Sequence, residues 1–244
     1  MSESSIYLIS GNKYRNAAVE GTEIKNPERI LLQIPFHKQA SEFTCGPASL
    51  MMAMKYFQPK LKLSKGLELD IWRESNLVES YGTSKQGLAV AAARRGFSVY
   101  TMGKTRKHSF IDAISDEIPS VNKQVLELLY QDMRAKFQAM RLHNVNRHFK
   151  LHSLKAILAT SQLPLFLTTT ALFGGKEDLP HWVILTGYSG DVVFVNNPLG
   201  KASNTRVDQS RLERNLGYRG IQCAVVVRGW SERTACKHAI REVS

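Results

Sequence analysis

The chain has 244 residues, of which 43% are hydrophobic, and this composition suits one domain with a single core or two tightly joined lobes. Its three cysteines, Cys45, Cys223 and Cys236, are odd in number and form no CxxC pair. Neither a disulfide framework nor a structural zinc site is therefore indicated. The formal net charge is +12 and the isoelectric point is about 9.7, which raises nucleic acid as a partner.

Charge and hydropathy patterns argue against nucleic-acid and membrane functions. The basic residues are spread along the chain, and no nucleic-acid motif accompanies their densest cluster, residues 104–108. We expect a solvated basic surface, and an acidic peptide would fit the charge equally well. The first residues lack a signal peptide, and the longest apolar stretch, residues 163–173, is too short to cross a bilayer. We therefore expect a cytoplasmic protein with reduced thiols and no membrane partner.

The organisation of the chain suggests one main domain with two flanking segments. We predict a peripheral segment over residues 1–30, with a short strand at residues 6–9, and a polar tail over residues 231–244. The main domain then covers residues 31–230.

Residues 39–50 read QASEFTCGPASL and form the most informative stretch. Cys45 directly precedes Gly46-Pro47 and an apolar helical run over residues 48–57. A thiol at a helix N-terminus feels the positive end of the macrodipole, which favours the nucleophilic thiolate. Gln39 is suited to supply an oxyanion hole with its side-chain amide, and the backbone N–H of Cys45 is the second donor. A buried structural cysteine at a helix cap is the alternative.

The next elements alternate helix and strand. Residues 67–74 are predicted to form a short helix. Ser84 is placed to cap a helix over residues 85–95, Gly96 ends that helix, and residues 97–102 have the β-branched and aromatic content of a strand.

The middle of the chain contains a longer amphipathic helix. Apolar residues recur at helical spacing over residues 121–140, which predicts either an arm or lid beside a cleft or a core-packed connecting helix. Residues 151–160 form a further predicted helix that leads into a strand over residues 163–170. His148 and His152 lie four apart, but no Glu or Cys completes a ligand set, so we expect no metal site.

Residues 181–198 form a predicted hairpin. Two β-rich runs flank Ser189-Gly190-Asp191, and His181 opens the first run while Asn197 closes the second. The open ends of a hairpin lie side by side, so Asn197 is placed to orient His181 as a general base for Cys45. A structural histidine and a plain Asn-Pro turn are the alternatives. A last β-rich run, residues 222–228, is predicted to pair with this hairpin.

These motifs resemble those of the papain-like cysteine peptidases of the bacteriocin-leader (double-glycine) processing family, and most closely its stand-alone bacterial members without a transporter. The resemblance covers roughly residues 30–230. It rests on Gln39, Cys45-Gly46-Pro47-Ala48-Ser49-Leu50, Tyr81-Gly82-Thr83-Ser84 with Gly87-Leu88, Ala92 with Gly96-Phe97, His181-Trp182-Val183 and Asn197-Pro198. One position differs, because the family usually has Asp before the proline where this chain has Asn197.

The resemblance implies an α+β papain-like fold. Its N-terminal half would be helical, and its cysteine helix would pack on an antiparallel sheet in the C-terminal half. The loop Tyr81-Gly82-Thr83-Ser84 would border the substrate cleft, with a plain helix cap as the alternative.

We predict a cofactor-independent cysteine peptidase that hydrolyses a peptide or amide bond through a thioester. In this prediction Cys45, His181, Asn197 and Gln39 are the catalytic residues, and a peptide or protein is the substrate. Two alternatives stay open. One is a transpeptidase or amide transferase that uses the same site. The other is a non-catalytic peptide- or nucleic-acid-binding protein on a degenerate peptidase scaffold.

Overall fold

A computed structural model describes residues 27–76, 82–104 and 122–231 of the chain. Several predictions fall on other residues. The strand at residues 6–9, nearly all of the segment 1–30, Tyr81, most of the basic cluster 104–108 and the tail with Cys236 lie outside the described residues.

The described residues form six α-helices, eight β-strands and a short 3-10 helix. The helices are α1 (Cys45–Phe57), α2 (Lys65–Ser75), α3 (Lys85–Arg94), α4 (Lys123–Ala139), α5 (Leu151–Ala159) and α6 (Gln209–Arg214). The strands are β1 (Arg29–Leu31), β2 (Phe97–Met102), β3 (His143–Val145), β4 (Leu163–Thr169), β5 (Pro180–Ser189), β6 (Val192–Asn196), β7 (Thr205–Asp208) and β8 (Ala224–Trp230). The 3-10 helix spans Thr170–Phe173.

All eight strands join one sheet in the order β3-β2-β8-β4-β5-β6-β7, and β1 pairs with β5. Every pairing is antiparallel except that of β2 with β3. The predicted α+β class is confirmed, and β1 and β2 bring strands from the first half of the chain into the sheet.

One prediction about the sheet is wrong. The run expected to pair with the β5–β6 hairpin forms β8, which lies between β2 and β4 instead. The hairpin has no vacant edge for it, because β5 is flanked by β4, β1 and β6, and the outer edge of β6 pairs with β7.

Helix α1 lies at the centre of the molecule. Its first ten residues are all buried, and it contacts β5 and β8 on the sheet side and α2 and α3 on the other. A helix that is apolar on all sides is stable only when it is covered on all sides, as here. The core is therefore continuous from the sheet through α1 to α2 and α3.

Helix α4 packs against α3 through Leu126, Met133 and Phe137. It is thus a packed helix on the α3 side of the molecule, in agreement with the second of its two predicted roles. None of the helices within the described ranges is both long and apolar enough to cross a membrane.

Candidate active site

The loop before α1 places Cys45 at the first position of the helix. Thr44 closes this loop, because its hydroxyl donates to the carbonyl of Ser41 at 2.9 Å and accepts from the Ser41 N–H at 3.1 Å. Pro47 is tolerated in the first turn, where a backbone N–H has no helical partner. The sulfur of Cys45 is therefore held at the N-terminal end of a rigid, buried helix.

Strand β5 provides the surface that receives this end of α1. Its pairing with β6 stops at Ile184, so residues 181–183 pair only with β4 and leave their other edge to α1. Ser49, one turn after Cys45, donates to the carbonyl of Trp182 at 3.1 Å. The backbone of Trp182 also hydrogen-bonds to the Cys45 sulfur. The Cys45 sulfur is therefore hydrogen-bonded to the residue that directly follows His181.

His181 and Asn197 lie together, as the hairpin predicts. Nε2 of His181 is 2.8 Å from Oδ1 of Asn197, and both side chains are buried. The same oxygen accepts from the backbone N–H of Leu199 at 3.0 Å, which identifies it as the amide oxygen. Because an amide oxygen only accepts, Nε2 carries the proton in neutral His181, and Nδ1 is left with a lone pair.

Burial determines the protonation state of this site. It lowers the pKa of His181 to about 4, against an opposing contribution from the Asn197 hydrogen bond. Burial likewise raises the pKa of the Cys45 thiol, although backbone hydrogen bonds from Trp182 and Gly46 act the other way. Burial thus opposes the thiolate that the helix dipole favours, and it favours the neutral forms of both the Cys45 thiol and the His181 imidazole.

Phe173 covers the imidazole. Its ring lies edge-on to that of His181, with centroids 5.9 Å apart. Phe173 ends the 3-10 helix, and Gly174 follows in the left-handed conformation at φ 79°, which reverses the chain. The sequence shows the two glycines that follow Phe173, but no pattern indicates that this ring packs against His181.

Gln39 joins the cysteine loop, residues 39–44 before α1, to the turn that follows β6 at Asn197-Pro198. Its backbone N–H donates to the carbonyl of Pro198 at 3.0 Å, and its side-chain Nε2 donates to the carbonyl of Ser41 at 2.6 Å. The side chain is buried, and its Oε1 has no partner among the described residues. A primary amide has two N–H groups, so the Ser41 carbonyl engages only one of the two donors of Gln39.

A buried carboxylate, which none of the sequence motifs indicates, lies under the cysteine loop. Glu68 accepts from the backbone N–H of Ala40 at 2.7 Å, and its other oxygen lies 2.7 Å from Nε2 of His37. Burial favours the protonated acid, but hydrogen bonds from His37 and Ala40 outweigh it and hold the pKa of Glu68 below its usual value. The available signal was helical spacing, because Glu68 shares the buried face of α2 with Ile71 and Ser75.

The described part of the predicted substrate loop lies against the first turn of α1. A β-carbon at Gly46 would lie 2.2 Å from Oγ1 of Thr83, so the two residues are in direct contact. Thr83 is 8% exposed, and its hydroxyl has no hydrogen-bond partner within the described residues. Ser84 caps α3, as predicted, by accepting from the N–H of Gly87 at 2.9 Å. Gly82 precedes them, partly buried.

The remaining cysteine of the described residues lies elsewhere. Cys223 is buried directly before β8, where burial raises the pKa of its thiol to about 11. Within the described ranges, no three His, Cys, Asp or Glu side chains lie close enough to hold a metal ion.

Comparison with known proteins identifies two similar solved structures and one family. The chain is similar to a putative C39-like peptidase from Bacillus anthracis, with a TM-score of 0.51 and 15% identity over 84% of this chain and 100% of the other. A second similar structure is the peptidase domain of Streptococcus ComA, a bi-functional ABC transporter of a quorum-sensing pathway. Here the TM-score is 0.43 and the identity 14%, over 80% of this chain and 98% of that domain.

The likeness to the first of these structures shows the fold alone. No curated protein matches the chain. The sequence profile described as the Peptidase_C39 like family matches residues 34–215, which include Cys45, His181 and Asn197. This match spans well over half of the sequence, and the chain therefore belongs to the Peptidase_C39 like family.

Proposed function

We propose that the protein is a cysteine peptidase with Cys45 as nucleophile, His181 as general base and Asn197 as the residue that orients His181. The observation that carries this proposal is the buried hydrogen bond between His181 and Asn197. His181 directly precedes Trp182, whose backbone hydrogen-bonds to the Cys45 sulfur. Because Nε2 of His181 donates to Asn197, Nδ1 is the ring nitrogen with a lone pair that can accept a proton.

The proposed reaction begins from the neutral pair. Nδ1 of His181 takes the thiol proton as the Cys45 sulfur attacks the substrate carbonyl, and the imidazolium keeps its Nε2–H bond to Asn197. The oxyanion of the tetrahedral intermediate accepts from the backbone N–H of Cys45 and from the second amide N–H of Gln39. The imidazolium then protonates the leaving amine, and water attacks the thioester to release the acid and regenerate the thiol.

Thr83 is the proposed substrate contact in the Tyr81–Ser84 loop. Its buried hydroxyl lacks a described partner beside the first turn of α1, which is costly unless a ligand supplies one. We also propose, from the motifs shared with stand-alone family members, that the enzyme works without a fused transporter. Both statements stay predictions.

Two reagents separate the proposed roles. Iodoacetamide alkylates a thiol without forming an oxyanion, whereas acylation by p-nitrophenyl acetate passes through one. We expect His181→Ala to slow both reactions at Cys45, because both need the thiol proton removed. Gln39→Ala should slow acylation about a hundred- to a thousand-fold, the usual cost of losing one oxyanion donor, and leave alkylation unchanged.

Mass spectrometry of limiting-dose reactions identifies the modified cysteine. Cys223 is the internal control, since its buried thiol has a raised pKa and no histidine partner is proposed for it. Preferential modification of Cys223 or Cys236, or rates at Cys45 that do not respond to His181→Ala, would contradict the catalytic assignment. A product study with added amines then separates hydrolysis from acyl transfer.

A further inference from the structure

A cleft of about 610 Å³ lies next to the His181–Asn197 pair, and none of its charged residues takes part in the proposed acyl transfer. Asn197 and Phe173 form one wall, and both residues contact the His181 side chain. The segment after β6, strand β7 and the start of α6 form the rest of the lining. This volume lies within the range of known ligand sites.

The position of the cleft identifies the half of the substrate that would reach it. In acyl transfer the general base returns its proton to the leaving amine, so the leaving group must lie on the imidazole side of the nucleophile. The cleft borders Phe173 and Asn197, the two residues packed against the imidazole, whereas Cys45 and Gln39 do not line it. A peptide in the site would therefore extend its C-terminal, leaving-group half toward the cleft.

The charge of the cleft is positive. Lys201, Arg206 and Arg211 line it together with a single carboxylate, Asp208. The carboxylate is already engaged at the N-terminus of α6, where it accepts from the Arg211 N–H at 2.9 Å and from the Ser210 hydroxyl at 2.6 Å.

The cations are available for a ligand. Lys201 and Arg206 are exposed, and neither forms an ion pair with any carboxylate of the described residues. The guanidinium of Arg211 donates to the carbonyl of Ala171 at 3.3 Å, which holds it beside the 3-10 helix that carries Phe173. Cations without carboxylate partners in a concave site attract anionic groups more strongly than the same charges on an open surface.

We propose that this cleft binds acidic side chains on the C-terminal side of the scissile bond, so that the substrate is a peptide with an acidic leaving-group segment. This proposal rests on the proposed function, from which it takes the direction of the bound peptide, and it adds a substrate class to that function. Lys201 and Arg206 are the specificity residues. Each would pair with a carboxylate of the substrate, the arginine with two parallel N–H donors.

A binding experiment tests the cleft without requiring catalysis. Fluorescein-labelled hexaglutamate is titrated with the full chain carrying Cys45→Ala, and fluorescence anisotropy is measured at low and at physiological salt. We expect binding that weakens about tenfold or more when Lys201→Glu and Arg206→Glu are combined, since two attractive pairs become repulsive. Labelled hexalysine should not bind measurably.

The matched control changes the same net charge elsewhere. Lys60 and Lys62 are exposed and follow the C-terminal end of α1, at the opposite end of that helix from Cys45. The Lys60→Glu, Lys62→Glu variant should bind hexaglutamate as the parent does. Equal weakening in both double variants would show a general effect of the +12 charge and overturn the proposal. Absence of hexaglutamate binding would overturn it as well.

A cleavage experiment separates this inference from the proposed function. A peptide library made from a digested proteome is incubated with the wild-type chain, and new termini are identified by mass spectrometry. Asp and Glu should be enriched on the C-terminal side of the cut bonds, and the Lys201→Glu, Arg206→Glu variant should lose that enrichment. Cleavage without enrichment overturns the inference alone. Hexaglutamate binding without any cleavage contradicts the peptidase function and leaves an acidic-peptide-binding protein.

Discussion

The carboxylate of Glu68 accepts a hydrogen bond of 2.7 Å from the backbone N–H of Ala40, and this contact joins helix α2 to the loop between Gln39 and Cys45. Glu68 is fully buried, so its carboxylate depends on protein donors rather than on water. Glu68 is not one of the proposed catalytic residues. We expect it to act as a positioning residue, because the loop that it holds carries the side-chain donor of the proposed oxyanion hole.

Loss of this carboxylate should impair acylation more than alkylation. Glu68→Ala leaves the Ala40 N–H and His37 without their partner and should destabilise the fold by about 1–3 kcal/mol. We expect acylation of Cys45 by p-nitrophenyl acetate to slow about tenfold or more, because Gln39 is no longer held, while alkylation by iodoacetamide changes little. Glu68→Gln keeps an acceptor oxygen and should restore most of the acylation rate.

Glu74 on the same helix gives the control for this prediction. It pairs with Arg95 at 2.6 Å, away from the cysteine loop. Glu74→Ala should lower the stability but leave both reactions at Cys45 unchanged. If Glu68→Ala and Glu74→Ala behave alike in the two assays, Glu68 is a structural residue only.

The alkylation of Cys45 should depend steeply on pH. Burial raises the pKa of the thiol and lowers that of His181 to about 4, so we expect a neutral thiol and a neutral imidazole in the resting site. We expect the iodoacetamide rate to rise continuously between about pH 6 and pH 9 as the thiolate fraction grows. A rate that is flat from about pH 5 to pH 8 would show a preformed ion pair in solution and contradict the neutral resting site.

Asn197 offers a direct test of imidazole orientation. Asn197→Asp keeps the oxygen that accepts from His181 and Leu199 and adds a negative charge, so it should preserve acylation and raise the pKa of His181. Asn197→Ala releases the ring and should slow acylation about ten- to a thousand-fold. Identical rates and pH profiles for wild type and both variants would reduce Asn197 to a turn residue.

Acid should destabilise the protein through His181. Its pKa is about 4 in the folded chain, below the ordinary value of 6.5, so the unfolded chain binds more protons between these two values. Above about pH 6.5, His181 is largely neutral in both the folded and the unfolded chain, so its burial does not make stability depend on pH. As the pH falls toward 4, the stability should decrease by about 3 kcal/mol.

Urea unfolding at several pH values measures this effect. His181→Gln removes the titrating group and should flatten the decrease between about pH 6.5 and pH 4. His152→Gln, at an exposed position on α5, should retain the wild-type slope. A wild-type slope in the His181→Gln variant would mean that other groups dominate this pH range.

A methyl group at Gly46 should disturb both stability and the site. The added β-carbon would lie 2.2 Å from Oγ1 of Thr83, so Thr83 or the first turn of α1 must shift. We expect Gly46→Ala to cost about 1–3 kcal/mol of stability and to slow acylation of Cys45. Gly66→Ala is the matched control, because the nearest atom to its added carbon lies 3.9 Å away, and it should be neutral or slightly stabilising. Unfolding and acylation of both variants check this prediction.

Local patterns in the sequence determined much of the architecture. The apolar run after Cys45, the Ser84 cap and the hairpin around Gly190 all appear where the sequence predicts them, and the α+β class follows from them. Each of these features depends on residues close together in the chain, where backbone propensity and hydrophobic periodicity act directly. The proximity of His181 and Asn197 belongs to this group, because it follows from closing one hairpin.

The tertiary structure decided what no local pattern contains. Glu68 and the backbone N–H of Ala40 form a hydrogen bond although the two residues lie 28 positions apart in the chain. Strand β8 lies between β2 and β4 because the edges of the hairpin are occupied. The protonation of Cys45 and His181 likewise depends on contacts between distant parts of the chain. The helix N-terminus suggested a thiolate at Cys45, but packing of α1 against β5 removes water from both Cys45 and His181. Desolvation penalises the charged form of any group. The size of this penalty depends on which residues the rest of the chain packs around the thiol or the imidazole.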